Sequence, residues 1–283
     1  MRAAAPQEKM QTSTCHKGNL VDMHRYLGLA QDVFAVALVF GFPLINLPTM
    51  QRLKQFSSST ARLALYRRSV LTTWTFTVAA LMLAPLRTLR VVPHQPSDLP
   101  WRDGHSLGQA AVSALIAMLF AWILWPSIQC LFRKDMRKTY LKAYQASFIR
   151  FMLPVSRSER LWWVLLSITA GVCEELLCRG FLLHYLRGHL ADGPSLSLML
   201  AWLLSSMAFG LGHIYQGRRG VIETTAAGLV FGMLAILSGG LALPILMHIL
   251  IDLRILLIYN PAEDDPADAA ALINGFHPHS RYL

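Results

Sequence analysis

Two adjacent glutamates and an arginine lie inside an apolar stretch of the sequence, where charged side chains are unexpected. Glu174 and Glu175 precede Arg179 within a hydrophobic run from Leu161 to Leu186. If this run crosses a membrane, each charged group costs roughly 2.5 to 3.5 kcal/mol at mid-depth on insertion scales. That cost predicts a functional role for these groups, such as acid–base chemistry within the membrane.

Helical geometry gives the two glutamates different roles. Residues four apart share a helix face, so Glu175 and Arg179 can form an ion pair that neutralises two of the three charges. Successive residues point about 100° apart, and Glu174 therefore faces elsewhere. We expect Glu174 to face a cavity and to act as a general base.

Two later apolar stretches carry polar groups that could work with this carboxylate. His213 follows Phe209 by four residues, and Asp252 follows His248 by four, so each pair shares a helix face. Taken singly, each histidine could be a structural hydrogen-bonding group between helices, and Asp252 could pair with Arg254. The occurrence of all these groups on three apolar stretches favours an active or binding site.

The composition predicts a membrane protein. Of the 283 residues, 54% are hydrophobic and only 15% are charged, whereas soluble proteins contain about 25% charged residues. The net charge of +10 comes from basic residues clustered in short loops between the apolar runs. This distribution follows the positive-inside rule of membrane proteins. We therefore expect no nucleic-acid partner. The four cysteines form no C-x-x-C pair and predict no disulfide framework.

Apolar runs of suitable length predict an all-α, polytopic transmembrane helix bundle with seven to eight spans. Seven runs are candidates: 33–47, 70–86, 107–132, 161–186, 196–214, 221–238 and 241–259. An amphipathic segment near residues 20–30 would make an eighth. With seven spans, the basic loops face the cytoplasm and the amino terminus lies outside. Residues 140–153 fit either a helix lying on an anionic leaflet or a solvated loop.

These bounds place the polar groups at different depths. Glu174 and His248 would lie roughly 20 Å from the cytoplasmic edge, and His213 only about 5 Å from it. Tilted or broken helices must bring them together. The glycines of the fifth span, or Gly239, Gly240 and Pro244, are the expected places for such a break.

Three motifs in this order on three membrane helices resemble the signature of the CPBP family, the CAAX-protease and bacteriocin-processing proteins also called the Abi family. The motifs are Glu174-Glu175-x-x-x-Arg179, Phe209-x-x-x-His213 and His248-x-x-x-Asp252. The resemblance covers about residues 160–258. It implies an intramembrane glutamic endopeptidase that cleaves a membrane-anchored protein or peptide substrate, with the lipid bilayer as its environment.

The resemblance also implies individual roles. By similarity, Glu174 with His213 would activate a water molecule, and His248 with Asp252 would stabilise the oxyanion. Many family members carry Asn at this last position, whereas Asp252 can donate a hydrogen bond only if protonated; it could instead orient His248. The resemblance implies that three further residues support these catalytic residues: Glu175, Arg179 and Phe209.

The predicted spans and the extent of the resemblance divide the chain into four parts. We expect a polar or amphipathic segment over 1–30, accessory transmembrane helices with basic loops over 31–155, a CPBP-like catalytic helix bundle over 156–260, and a polar tail over 261–283. A short multi-pass chain of this composition looks bacterial, which indicates the cytoplasmic (inner) membrane.

Other functions stay open at this point. Two histidines and two carboxylates suit zinc, but no H-E-x-x-H motif is present, so we expect a protease without a cofactor and keep a zinc-dependent membrane protease as an alternative. Buried Glu, His and Asp could also form the proton or ion relay of a transporter. Against transport, the polar groups are confined to the carboxyl-terminal half. A catalytically silent scaffold or immunity protein is a further alternative.

Overall fold

Helices make up nearly all of the described chain. A computed structural model describes residues 25–55, 58–84, 106–145, 149–190 and 193–259. Within these ranges the chain has no strand, which confirms the all-α class. Residues 1–24 of the predicted segment 1–30, and the whole predicted tail 261–283, lie outside the described residues.

Four helices precede the segment that carries the glutamates. Helix α1 covers residues 25–55 and includes a π-helical segment, Ala37–Gly41, before its last part, Phe42–Gln55. Helix α2 is Ser59–Leu83, α3 is Ser106–Phe132 and α4 is Lys134–Gln145.

Four further helices form the carboxyl-terminal part. Helix α5 starts as Arg157–Glu175, passes through a π-helical segment, Leu176–Leu182, and ends as Leu183–His189. Helix α6 is Pro194–Leu211, α7 is Gly217–Ser238 and α8 is Ala242–Ile258. Short 3₁₀ turns, Arg150–Met152 and Ile214–Gln216, precede α5 and α7.

Five helices in the described ranges are long and apolar enough to cross a membrane. They are Arg25–Arg52, Ala110–Phe132, Arg157–His189, Pro194–Leu211 and Ile214–Ser238. The sequence predicted seven to eight spans, and α2 and α8 account for the difference. Helix α8 has 17 residues, slightly short for a span, and α2 contains Arg67, Arg68 and several threonines. The helical membrane bundle is nevertheless clear.

Some predicted loops are helical. Residues 25–30 form no separate amphipathic span, because they continue directly into the first long helix. The basic stretch after residue 52, predicted as a loop, largely belongs to the end of α1 and the start of α2. Residues 140–153, for which the sequence left a surface helix and a loop open, are part of helix Lys134–Gln145 and of the turn Arg150–Met152 where the structure describes them.

A buried ion pair joins α2 to the start of α5. The guanidinium of Arg62 donates two hydrogen bonds to the carboxylate of Glu159, with N–O distances of 3.0 and 3.1 Å. Glu159 also completes a capping box with Ser156 at the helix start, an arrangement that satisfies the first backbone amides of a helix. The Tyr66 hydroxyl donates to the Met152 carbonyl at 2.5 Å. These bonds fix α2 against the beginning of α5.

Glycines allow the carboxyl-terminal helices to approach closely. A Cβ atom on Gly171 of α5 would lie 3.1 Å from the Ile245 carbonyl oxygen of α8. On α7, a Cβ atom on Gly228 would lie 3.1 Å from the Ser206 carbonyl oxygen of α6. Any larger residue would force these backbones apart. The close contacts bring α6, α7 and α8 around the middle of α5.

Helix α5 is longer than the membrane is thick, which explains how groups predicted at different depths can meet. Its 33 residues correspond to about 50 Å, against roughly 30 Å of hydrocarbon. Helix α6 has 18 residues and packs along the second half of α5, while α2 and α8 pack along the first half. The carboxyl-terminal end of α6 therefore lies beside the glutamates in the middle of α5.

Candidate active site

Helix α5 changes to π-helical geometry directly after the two glutamates. All seven residues of Leu176–Leu182 are buried. A π-helical turn places the backbone carbonyls out of normal register, and the imidazole Nδ1 of His184 lies 3.0 Å from the Arg179 carbonyl oxygen. Single π-turns inside α-helices occur frequently at functional sites.

The predicted ion pair between Glu175 and Arg179 is present and fully buried. Arg179 donates from its guanidinium to Glu175 Oε1 at 2.8 Å and to the Gly228 carbonyl oxygen of α7 at 2.8 Å. The same Glu175 oxygen lies 2.9 Å from Nδ1 of His248. The sequence did not predict this last contact. Glu175 thus joins the arginine to the histidine of α8.

Hydrogen bonds fix the tautomers of both histidines. An ionised carboxylate can only accept, so Nδ1 of His248 donates to Glu175. A backbone carbonyl also only accepts, so Nδ1 of His213 donates to the Phe209 carbonyl oxygen at 3.0 Å. In its neutral form, each imidazole therefore presents an unprotonated Nε2, which can accept a hydrogen bond or a proton.

Aromatic rings enclose the arginine and the α8 histidine. The Arg179 guanidinium lies 4.6 Å from the ring centre of Phe209 and 5.6 Å from that of Phe231, within cation–π range. The His248 ring stacks on Phe231 with centroids 5.0 Å apart and forms a T-shaped pair with Phe209, with centroids 5.8 Å apart. Phe209 is therefore a wall of the site, as is Phe231, which the sequence analysis missed.

The four predicted catalytic residues line one cavity of about 210 Å³. Nε2 of His248 lies 4.0 Å from Glu174 Oε2 and 3.7 Å from Asp252 Oδ2. That Glu174 oxygen is buried and has no hydrogen-bond partner among the described residues. His213 lines the same cavity. The spacing leaves room for a small molecule between these polar groups.

His213 is not on a helix, contrary to the prediction that it shares a helix face with Phe209. Helix α6 ends at Leu211, Gly212 follows as its C-cap, and His213 lies before the turn Ile214–Gln216. Its hydrogen bond to Phe209 keeps the ring 5.1 Å from the Phe209 ring. The chain therefore breaks at the glycines of the fifth span, one of the two expected places.

The cavity extends beyond the polar groups towards the amino-terminal helices. Side chains of α1 and α2 form this part of its wall, among them Leu38, Phe42, Met50 and Thr73. Tyr215 and Gln216, from the turn after α6, also line it. The sequence analysis missed Tyr215, and its only sequence signal is its position two residues after His213.

No group of three or more His, Cys, Asp and Glu side chains in the described part of the chain has the arrangement needed to hold a metal ion. The Nδ1 atoms of His213 and His248 are hydrogen-bonded to the Phe209 carbonyl oxygen and the Glu175 carboxylate, which leaves Nε2 as the free ring nitrogen of each histidine.

One family model matches the segment that contains this site. Residues 156–254 match the model described as type II CAAX prenyl endopeptidase Rce1-like. Searches of curated proteins and of solved structures gave no match. The matched segment includes Glu174, His213, His248 and Asp252, and the CAAX proteases are hydrolases of peptide bonds. Residues 156–254 are therefore similar to the Rce1-like CAAX proteases of the CPBP family, and this similarity supports a membrane protease.

Proposed function

We propose that the protein is an intramembrane endopeptidase in which Glu174 and His213 activate a water molecule. The observation that supports this proposal is the cavity shared by Glu174, His213, His248 and Asp252. A water molecule between the Glu174 carboxylate and Nε2 of His213 could donate a hydrogen bond to each. Both groups are acceptors, so together they orient the water and withdraw its proton.

Attack by this water on the scissile carbonyl forms a C–O bond, and the carbonyl π electrons move to the oxygen. The water proton passes to Glu174. As the tetrahedral intermediate collapses, Glu174 returns the proton to the leaving nitrogen and the C–N bond breaks. The products are a carboxyl group and a free amine. This sequence needs one residue that acts first as base and then as acid.

His248 would stabilise the oxyanion in its doubly protonated form. Because Nδ1 is committed to Glu175, Nε2 carries a hydrogen only when the imidazole is a cation. Three carboxylates lie close to this ring: Glu174, Glu175 and Asp252. Their negative charges favour the cation. In this role Glu175 is a positioning residue that holds the imidazole by its rear nitrogen.

A membrane-anchored peptide or protein is the proposed substrate, and a bacterial cytoplasmic membrane is the proposed location. The matched model concerns prenylated CAAX sequences, which supplies a first probe. The test uses the purified full chain in proteoliposomes with a quenched fluorescent peptide that ends in a farnesylated CAAX sequence. An unprenylated copy and a single-span transmembrane peptide serve as further probes. Failure to cleave any of them, judged by mass spectrometry, would contradict the proposal.

Asp252→Asn is expected to retain more activity than Asp252→Ala. An asparagine keeps polar atoms near Nε2 of His248, where Asp252 Oδ2 now lies at 3.7 Å, and its amide can donate to an oxyanion. We expect a loss on the order of tenfold for Asn and on the order of 100-fold for Ala. Values of kcat from the proteoliposome assay give the comparison. Equal losses would contradict both an oxyanion role and an orienting role for this residue.

Removal of metal is expected to leave cleavage unchanged. The proposed base is the Glu174 carboxylate and the proposed oxyanion donor is His248, so no step of the proposed mechanism needs a metal ion. The protein is dialysed against a strong chelator, its zinc content is measured by mass spectrometry, and kcat is determined. Loss of activity that returns when zinc is added would instead support a zinc-dependent protease.

A further inference from the structure

The cavity contains few side chains that can donate a hydrogen bond to a developing negative charge. Ionised Glu174 and Asp252 only accept, and the neutral histidines present acceptor nitrogens. Several other lining groups direct their hydrogens into the protein. Thr73 and Ser167 donate to carbonyl oxygens of their own helices, and the Trp163 indole donates to the Asp252 carbonyl oxygen. Protonated His248 is the one donor proposed so far, and a second donor would stabilise the oxyanion further.

Tyr215 lies on the wall of this cavity, and two contacts hold it in place. Its backbone carbonyl oxygen accepts a hydrogen bond from Lys54 Nζ of α1 at 2.6 Å. Its ring centre is 5.9 Å from that of His213. The turn after α6 therefore places the phenol next to one of the proposed water-activating groups.

The hydrogen bond from Gln216 decides where the tyrosine hydroxyl can point. Gln216 Nε2 lies 3.1 Å from the Tyr215 hydroxyl oxygen, and an amide nitrogen can only donate. The tyrosine oxygen is the acceptor in this bond, so its own hydrogen is directed elsewhere. Tyr215 lines the same cavity as Glu174 and Asp252. Its hydrogen is therefore available to a substrate oxygen bound in that cavity.

The geometry points to Tyr215 as a further catalytic residue, whose hydroxyl donates a hydrogen bond to the oxyanion of the tetrahedral intermediate. This inference rests on the proposed peptidase function. The phenol keeps its proton throughout, since the step requires only that the hydroxyl move its hydrogen bond to the substrate oxygen. Gln216 is a positioning residue that fixes the orientation of this hydroxyl by donating to its oxygen.

Tyr215→Phe is the direct test, because it removes only the hydroxyl and keeps the ring. With the farnesylated CAAX peptide as probe, we expect kcat to fall about 100-fold, as for loss of an oxyanion donor, while KM changes little. Tyr185→Phe is the matched control. It also removes a hydroxyl, which donates to Asp32 at 2.7 Å, and it should leave kcat unchanged.

Gln216→Leu separates a catalytic role from a structural one. If Gln216 acts through the hydroxyl, Gln216→Leu lowers kcat in the wild-type background but has little further effect in Tyr215→Phe. Thermal unfolding of each variant in detergent monitors folding.

The inference is overturned if Tyr215→Phe cleaves with the wild-type kcat while Glu174→Gln does not cleave. If the wild type cleaves no membrane-associated probe, the proposed peptidase function itself fails.

Discussion

Glu174→Gln is expected to lower kcat for the farnesylated probe by about 10³- to 10⁴-fold, within the range for loss of general acid–base catalysis. Glutamine has nearly the same shape but cannot take a proton from water. Glu174 Oε2 has no hydrogen-bond partner among the described residues and lies 4.0 Å from Nε2 of His248, so the substitution removes no hydrogen bond of this oxygen. The expected result is an inactive protein with an unchanged thermal unfolding midpoint.

Glu223→Gln is the matched control for this substitution. Glu223 lies on α7 in an exposed ion pair with Arg219, at 2.7 Å, and exposed pairs contribute little to stability. Cleavage by this variant should equal that of the wild type. Normal processing by Glu174→Gln would exclude Glu174 as the base and, with it, the proposed mechanism.

Arg62→Ala is expected to destabilise the protein by about 3 to 5 kcal/mol, the typical effect of removing one partner of a buried ion pair. Arg62 is 3% exposed and Glu159 is fully buried, so the variant leaves a carboxylate without its guanidinium. The backbone amides of Val155 and Ser156 still donate to Glu159, but they cannot replace the positive charge. Denaturant-induced unfolding in mixed micelles gives the change in free energy.

Arg133→Ala provides the comparison for this prediction. Arg133 pairs with Asp135 at 2.7 Å, but both side chains are more than half exposed. Removal of an exposed pair changes stability by about 0 to 1 kcal/mol. Equal unfolding free energies for the Arg62 and Arg133 variants would show that the buried pair does not hold α2 to α5.

The sequence predicted the membrane-helix class and singled out four of the residues that line the cavity, because both depend on local patterns. Glu175 and Arg179 are four residues apart in one helix, so their pairing follows from helical geometry alone. The contact between Glu175 and His248 could not be predicted in this way. It depends on how closely α8 approaches α5. The small Gly171 on α5 permits this approach, because a Cβ atom there would meet Ile245 and Ile249 of α8.

Helix ends were predicted less well than helix interiors. Hydrophobicity continues through Gly212 and Ile214, so nothing in the pattern ends α6 at Leu211 or separates His213 from the helix. Arg62 and Glu159 lie outside the predicted spans, in segments that the sequence indicated as loops. Each charge instead has its partner on a distant part of the chain, and only the tertiary structure reveals such pairs.

Two different segments of the chain form the cavity wall, and substitutions in them are expected to have different effects. The groups proposed for hydrolysis lie within residues 156–254, the segment that matches the family model. Leu38, Phe42 and Met50 lie outside that segment, on α1, yet line the same cavity. Substitutions on α1 can therefore reshape the space for a substrate without touching the proposed hydrolytic groups. Substrate selectivity can therefore change through substitutions on α1 while the groups proposed for hydrolysis stay the same.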